Sequence, residues 1–136
     1  MRILIRRLQE IDAYRGLIPI EKAVAALGEE FARNSRMYLG EHGHMLTFPI
    51  GKGMTMNVVA FRTKADGKWE YERWVLPMNK EDMFNDFEGW GESVQKILSL
   101  MDKTDVWPLF DHPPASTYYS GNLAMLGDAA HASTPH

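Results

Sequence analysis

The hydrophobic and polar positions along the chain change from a helical period to strand-like alternation and back. Just after Pro19, apolar residues recur at helical spacing over three turns: Ile20, Val24, Leu27 and Phe31. This period predicts an amphipathic helix whose apolar side faces a core. Residues 37–50 and 54–63 then alternate in the manner of strands, and the Gly-containing stretch "GKG" between them predicts a hairpin.

The pattern after the hairpin predicts one more strand and two further helices. The turn signal "ADGK" precedes the alternating stretch "WEYERWVLP" at 69–77, which would extend the hairpin into an antiparallel meander. Asn79 is a suitable N-cap for a helix with the apolar stripe Met83, Phe84, Phe87 and Trp90. A second helical stripe after Gly91 comprises Val94, Ile97, Leu98 and Met101. Residues 107–116, "WPLFDHPPAS", are rich in proline and predict an irregular return.

The final stretch, "NLAMLGDAAHASTPH" at 122–136, predicts a strand over 123–126, a tight turn and the first turn of a helix. A carboxylate at the end of a buried strand lies where α/β folds bind ligands, and Asp128 would accept hydrogen bonds from a pair of hydroxyls. Gly127 would let a ligand approach the backbone, and the helix start would suit a phosphate. From these residues alone, the N-cap of that helix is the favoured role of Asp128, since Asp is common at this position, and the two roles are compatible.

Composition narrows the class of protein. The 136 residues suffice for about one domain, and 45% hydrophobic with 24% charged residues is typical of a soluble globular protein. The net charge of −3 favours neither nucleic acid nor an acidic membrane as a partner. The chain has no cysteine, which excludes disulfides and thiolate metal sites, and no stretch long enough for a membrane span or a signal-peptide core. A cytoplasmic location is therefore expected.

The motif "LGDAAHASTP", preceded by "GNLAM", resembles the second flavin-contacting motif of the class A FAD-dependent aromatic hydroxylases. This is the family of p-hydroxybenzoate hydroxylase, and the salicylate hydroxylase-like branch is the most similar. "YRGLIPIEKA" at 14–23 and "WPLFDHPPAS" at 107–116 resemble the same branch. The resemblance covers nearly the whole chain from about residue 13 onward and implies an oxidoreductase, a monooxygenase that uses FAD, NAD(P)H and O2 on an aromatic substrate.

Residue by residue, the resemblance implies that Asp128 bonds FAD hydroxyls and that Gly127 permits the approach. The remaining cofactor contacts would come from the helix start and the proline after it: Ala129, Ala130, His131 and Pro135. The predicted meander would roof the substrate. His44 and Phe48 are four residues apart and point to one face of a strand, as substrate-binding residues would. His44 is also the candidate catalytic residue, since a histidine can hydrogen-bond or deprotonate a phenol, although ordinary packing explains it as well.

Other polar groups lead to weaker hypotheses. His42 and His44 in "HGH" have a permissible metal-ligand spacing on a strand, but the sequence places no third ligand beside them, and no metal is expected. Arg62 and Arg73 in the meander have side chains that can clamp a carboxylate, although such arginines are more often solvated.

Two family motifs are absent from these residues: the G-x-G-x-x-G segment for the FAD pyrophosphate and the middle Asp-Gly motif linked to pyridine nucleotides. We therefore expect a fragment with an α+β fold: an atypical segment at 1–12, a substrate-binding domain at 13–110 and part of an incomplete α/β FAD-binding domain at 111–136. Two alternatives stay open. One is a stand-alone small-molecule binding module without redox chemistry. The other is an inactive fragment that works with a partner chain supplying the missing FAD-binding half.

Overall fold

A computed structural model of the chain describes residues 7–63, 73–102 and 104–134. These residues form an α+β fold around a six-stranded antiparallel sheet. The strands are β1 (Arg7–Pro19), β2 (Arg36–Gly40), β3 (Gly43–Ile50), β4 (Thr55–Thr63), β5 (Leu76–Pro77), β6 (Thr104–Asp111), β7 (Tyr119–Ser120) and β8 (Leu123–Ala124). The helices are α1 (Ile20–Leu27), α2 (Glu29–Arg33), α3 (Lys80–Asp86), α4 (Glu92–Leu100) and α5 (Asp128–His131).

The strand order of the sheet is β2-β3-β4-β1-β6-β5, and β7 and β8 form a separate two-stranded hairpin. The long strand β1 lies in the middle, where it pairs with β4 on one side and β6 on the other. Side chains alternate between the two faces of a strand, so the register divides the sheet into two faces. We call the face that packs against the helices the inner face and the opposite one the outer face.

The hydrophobic core lies between the inner face and the helices. The sheet contributes alternate residues of its central strands: Tyr14, Ile18, Met45, Met56, Val58 and Ala60. The helices and their junctions contribute Met83, Phe87, Ile97, Leu98 and Met101, all fully buried. The predicted apolar stripes of α3 and α4 thus face the core. The predicted N-cap of α3 is also confirmed, because the Asn79 side chain accepts a hydrogen bond from the Glu81 amide at 3.1 Å.

Several predicted elements differ from the structure. The stretch 37–50 is divided into β2 and β3 by a turn at Glu41 and His42, which has φ 60°. The proline-rich return was expected to be irregular, but its first five residues belong to β6. Pro108 is accommodated because the pairing of β1 with β6 shifts register next to it, and prolines in sheets are tolerated at such irregularities.

Residues 69–72 of the predicted third strand lie outside the described residues, as does the "ADGK" turn, and residues 73–75 are not in a strand. Its described end, Leu76–Pro77, pairs with β6 and not with β4, so the strand does not continue the meander there. The predicted domain boundaries stay predictions; β1 continues across the boundary at 12/13 and β6 across that at 110/111. No helix in the described ranges has both the length and the apolar content needed to cross a membrane.

Candidate functional site

The outer face of the sheet carries the predicted substrate-binding residues His44 and Phe48 together with two rings that were not predicted there, Phe61 and Trp107. Cross-strand pairing places His44 opposite Phe61, Phe61 opposite Ala13, and Ala13 opposite Trp107, so that the four residues form one row. Phe48 lies two rows away on the same face, opposite Asn57. The prediction that His44 and Phe48 share a face is therefore confirmed, since the intervening Met45 and Thr47 point into the core.

The His44 imidazole stacks on the Phe61 ring. Their ring centroids are 4.4 Å apart and the planes are inclined by 19°, which is a stacked arrangement. Stacking of this kind fixes the plane of the imidazole against the sheet. His44 is therefore half-buried on the outer face and stacked on Phe61, and its substrate-binding and catalytic roles stay predictions.

Between the rows of His44 and Phe48 lies a row that contains two aliphatic side chains. Leu46 is paired with Val59, and Val59 with Arg15 on the central strand. Leu46 and Val59 are half-buried, while the Arg15 side chain is exposed. This row forms a floor of two aliphatic side chains that ends at a guanidinium group and lies between the rows of His44 and Phe48.

Arg15 is held by two neighbours on the outer face. Its Nε donates a hydrogen bond to the Asn57 Oδ1 at 3.4 Å, and its Cζ lies 5.9 Å from the centroid of the Trp107 ring. Asn57 is itself buried, at 2% exposure. Sequence reasoning considered Arg62 and Arg73 as carboxylate clamps and missed Arg15. Arg62 instead lies near the carbonyl oxygens of Glu41 and His42, to which it donates at 3.3 and 3.4 Å.

A turn lies at Gly127, as the sequence predicted. Gly127 precedes α5 with φ 58° and ψ −142°, and nothing lies within 4 Å of the position that a Cβ atom would occupy. Asp128 is the first residue of α5, and the helix has no side-chain cap. The alternative that Asp128 caps this helix is therefore wrong: Gly127 is at the N-cap position, and the Asp128 carboxylate is exposed.

The other predicted cofactor contacts lie along α5. Ala129 and His131 are exposed, whereas Ala130 is buried at 2% exposure. The His112 amide donates to the Ala132 carbonyl oxygen at 2.8 Å, which ties the end of this helix to the segment after β6. Pro135 lies outside the described residues.

The strand before the turn is short and exposed, in contrast to the buried strand expected from the sequence. It comprises only Leu123–Ala124, paired with β7. Leu123 and Leu126 are 79% and 82% exposed, and Tyr119 on the facing strand is 72% exposed. The hairpin thus presents an apolar surface that has no cover among the described residues.

The two histidines of "HGH" do not share a strand, because His42 lies in the turn between β2 and β3 while His44 lies in β3. Within the described ranges, no group of three or more His, Asp or Glu side chains is arranged to hold a metal ion.

Comparison with known proteins shows which proteins this chain is similar to. The chain is 48% identical over 122 residues to 6-methylsalicylate 1-monooxygenase atA of Aspergillus terreus, a match covering 90% of the chain and 27% of the relative. It is 43% identical over 134 residues to FAD-dependent monooxygenase pigN of Monascus ruber, covering 96% of the chain and 30% of that protein. No protein-family model matches the chain.

Among solved structures, a salicylate hydroxylase substrate complex superimposes with a TM-score of 0.85 and 34% identity, over 96% of this chain and 34% of that one. The chain is homologous to part of the salicylate hydroxylase-like FAD-dependent monooxygenases. It spans about a third or less of the length of these monooxygenases. The expected α+β fold and the expected resemblance of the chain to salicylate hydroxylase-like monooxygenases are both confirmed.

Proposed function

We propose that this chain forms the substrate-binding sheet and the Gly-Asp flavin contact of an FAD-dependent monooxygenase that hydroxylates an aromatic, salicylate-like substrate. The proposal is carried by the exposed Asp128 carboxylate directly after Gly127, within a fold that superimposes on a salicylate hydroxylase. A capping role would occupy this carboxylate, and α5 has no such cap. Asp128 therefore keeps its acceptor oxygens for a ligand.

The residues around the turn fit the hydroxyl-bearing part of FAD. Asp128 would accept hydrogen bonds from two neighbouring hydroxyls, because an ionised carboxylate is purely an acceptor. The unobstructed Gly127 would let the cofactor approach the backbone, with Ala129 and His131 exposed beside it. The buried Ala130 would anchor α5 without contacting the cofactor through its side chain. Pro135 stays a family-based prediction.

The outer face of the sheet would hold the aromatic substrate. His44 and Phe48 rise on either side of Leu46, and a ring lying on Leu46 and Val59 would contact both. When bound, FAD would supply the redox chemistry that transfers an oxygen atom from O2 at the expense of NAD(P)H. The chain's own side chains would position the ring, exclude water from it and, at the His44 nitrogens, bond the substrate hydroxyl.

A titration of the purified chain with FAD tests the cofactor contact. We expect saturable quenching of flavin fluorescence, with affinity reduced at least about tenfold in Asp128→Ala, because a hydrogen bond to a charged group contributes roughly 1.5–3 kcal/mol. Asp128→Asn, which keeps one acceptor oxygen, should lose less. Asp102→Ala is the matched control, since Asp102 is an exposed aspartate whose ion-pair partner is Lys22.

The outcome of that titration separates the proposal from a stand-alone binding module. Equal FAD affinity of the wild type and Asp128→Ala would contradict the proposed contact. If a folded chain binds salicylate and has no measurable affinity for FAD, the non-redox binding module becomes the better explanation. Salicylate binding is therefore measured by calorimetry on the same preparations.

The exposed hairpin favours a second candidate function, in which the chain works with a polypeptide that carries the remaining FAD-binding fold. Leu123 and Leu126 are large apolar side chains on a surface of the kind that marks an interaction site. Mixing the chain with a G-x-G-x-x-G-containing domain of the same family should then yield a co-migrating complex with flavin absorbance on size exclusion. The double variant Leu123→Ser, Leu126→Ser should abolish the complex, and its persistence would contradict this function.

A further inference from the structure

The apolar floor of Leu46 and Val59 ends at the guanidinium group of Arg15. We propose that Arg15 binds the carboxylate of an aromatic acid substrate and thereby determines its orientation on the outer face. The inference rests on the proposed function, which places an aromatic substrate on this face, and adds the residue that recognises the acid group.

The contacts of Arg15 leave its recognition groups available. Only Nε is used in the hydrogen bond to Asn57, and the Trp107 ring faces the guanidinium carbon. Within the described part of the chain, the two terminal nitrogens of Arg15 make no hydrogen bond. These nitrogens form the planar fork that matches a carboxylate in a bidentate arrangement.

The two neighbours also restrict the conformations of the side chain. Asn57 is buried and has a defined place in β4, so its Oδ1 is a fixed acceptor for Nε. A guanidinium near an indole ring is further favoured by the cation–π interaction. Holding the fork in advance reduces the entropy lost when a ligand binds.

The dimensions of the floor suit a benzoate-sized ligand. Arg15, Val59 and Leu46 are consecutive across three neighbouring strands, which are spaced by about 4.8 Å. The row therefore extends over roughly 10 Å, enough for one aromatic ring and its carboxylate. With the carboxylate on Arg15, the ring would cover the two aliphatic side chains, between the rows that contain His44 and Phe48.

One acidic residue, Asp105, is placed to compete with a carboxylate ligand for the guanidinium group of Arg15. Asp105 lies opposite Arg15 on β6 and is exposed, yet the two side chains form no ion pair within 4 Å. A carboxylate ligand would bind on the Val59 side of Arg15, away from Asp105, because that side carries the apolar floor.

Isothermal titration with salicylate and with salicylamide, its uncharged analogue, tests the inference on the full chain. The wild type should prefer salicylate by at least about tenfold, since the ligand charge adds a charge-assisted pair. Arg15→Gln should abolish this preference by weakening salicylate alone, and Arg15→Lys should restore part of it. Arg33→Gln is the matched control, because Arg33 is an exposed arginine on α2 paired with Glu29.

The possible results of these titrations lead to different conclusions about Arg15 and about the aromatic site. Equal affinities of the wild type for the two probes, or an undiminished preference in Arg15→Gln, would overturn the role of Arg15 while leaving the aromatic site in place. Binding of neither probe would overturn the inference and also the substrate-binding part of the proposed function. The FAD titration above is independent of Arg15, so failure of the cofactor contact is recognised separately.

Discussion

The hydroxyl of Tyr14 donates a hydrogen bond to the carboxylate of Asp86 and thereby joins the central strand of the sheet to the end of α3. The Tyr14 side chain is buried, and its ring meets Phe87 edge-on at a centroid distance of 6.1 Å. Burial, followed by the hydrogen bond to Asp86, raises the pKa of Tyr14 well above its ordinary value. The contact holds α3 against the inner face, on the side of the sheet opposite to the candidate site.

We predict that Tyr14→Phe lowers the free energy of unfolding by about 1–3 kcal/mol at neutral pH, because a hydrogen bond to a charged acceptor is lost while the ring is kept. Urea denaturation followed by circular dichroism measures the effect. Tyr119→Phe is the control, since Tyr119 is an exposed tyrosine, and it should leave the midpoint unchanged. If Tyr14→Phe unfolds at the same urea concentration as the wild type, the hydrogen bond between Tyr14 and Asp86 makes no net contribution to the free energy of unfolding.

The same pair predicts a loss of stability at alkaline pH. Native Tyr14 keeps its proton above pH 10, where the tyrosine of an unfolded chain has lost its own, so the native state binds more protons there. This contribution to stability is complete below about pH 10 and decreases as the pH rises further. The decrease between pH 9 and pH 11 should therefore be smaller in Tyr14→Phe than in the wild type, with Tyr119→Phe again as control.

The stack of His44 on Phe61 predicts a difference between two substitutions. His44→Phe keeps a flat ring on Phe61 and should retain the stability of the wild type, whereas His44→Ala should lose about 0.5–1.5 kcal/mol. Urea denaturation measures both. Equal losses in the two variants would contradict a stabilising stack.

His44→Phe also isolates the role of the imidazole nitrogens in binding. If they bond the substrate hydroxyl, the wild type should prefer salicylate over benzoate, and His44→Phe should bind the two acids equally. A preference that persists in the stacked variant would remove His44 from the substrate site.

Local chemistry predicted the elements whose patterns are unambiguous. The helix after Pro19, the Asn79 N-cap and the β3–β4 hairpin follow from periodicity, capping and turn residues that depend on near neighbours alone. Even there, α1 ends earlier than the apolar stripe suggests. Gly28, with φ 85°, separates α1 from α2, and Phe31 is 41% exposed.

The central strand β1 was not predicted, because its sequence obscures its alternation. Gly16 occupies a buried position, where a Cβ atom would lie 2.7 Å from Met101, while the apolar Leu17 is 53% exposed. At position 16, the Met101 side chain fills the space that a side chain of β1 would need. At position 17, a hydrophobic side chain points outward. Tertiary contacts of this kind decide the strand, and no local pattern contains them.

The parts of the candidate site that lie within a local motif or one strand were predicted. The part that depends on the register between strands was missed. Gly127 and Asp128 are adjacent in sequence, and His44 and Phe48 share a face within one strand. The floor from Arg15 to Leu46 combines residues of three strands, and their alignment depends on pairings between distant segments. Arg15 could therefore be recognised only once the sheet was known.

We predict that Gly127→Ala destabilises the turn before α5 by about 1–3 kcal/mol, because Gly127 has a positive φ that residues with a Cβ atom rarely adopt. The amides of Ala130 and His131, which donate to the Gly127 carbonyl oxygen, should exchange hydrogen faster. Gly91→Ala is the matched control: Gly91 is also a helix N-cap with nothing near its Cβ position, but its φ is −58°. Similar exchange in both variants would show that backbone strain does not govern this turn.

We expect Asp105→Asn to bind salicylate more tightly than the wild type does, by about two- to fivefold at low ionic strength. Asp105 is the cross-strand neighbour of Arg15. Its negative charge repels the carboxylate of the ligand, and solvent screens only part of this repulsion at such a short distance. The affinity for uncharged salicylamide should not change, and the gain should shrink in 1 M salt, where the screening length is about 3 Å. Titration calorimetry at both salt concentrations measures these effects. If Asp105→Asn strengthens the two ligands equally, or if the gain survives high salt, the bound carboxylate does not feel the charge of Asp105, and its placement on Arg15 fails with it.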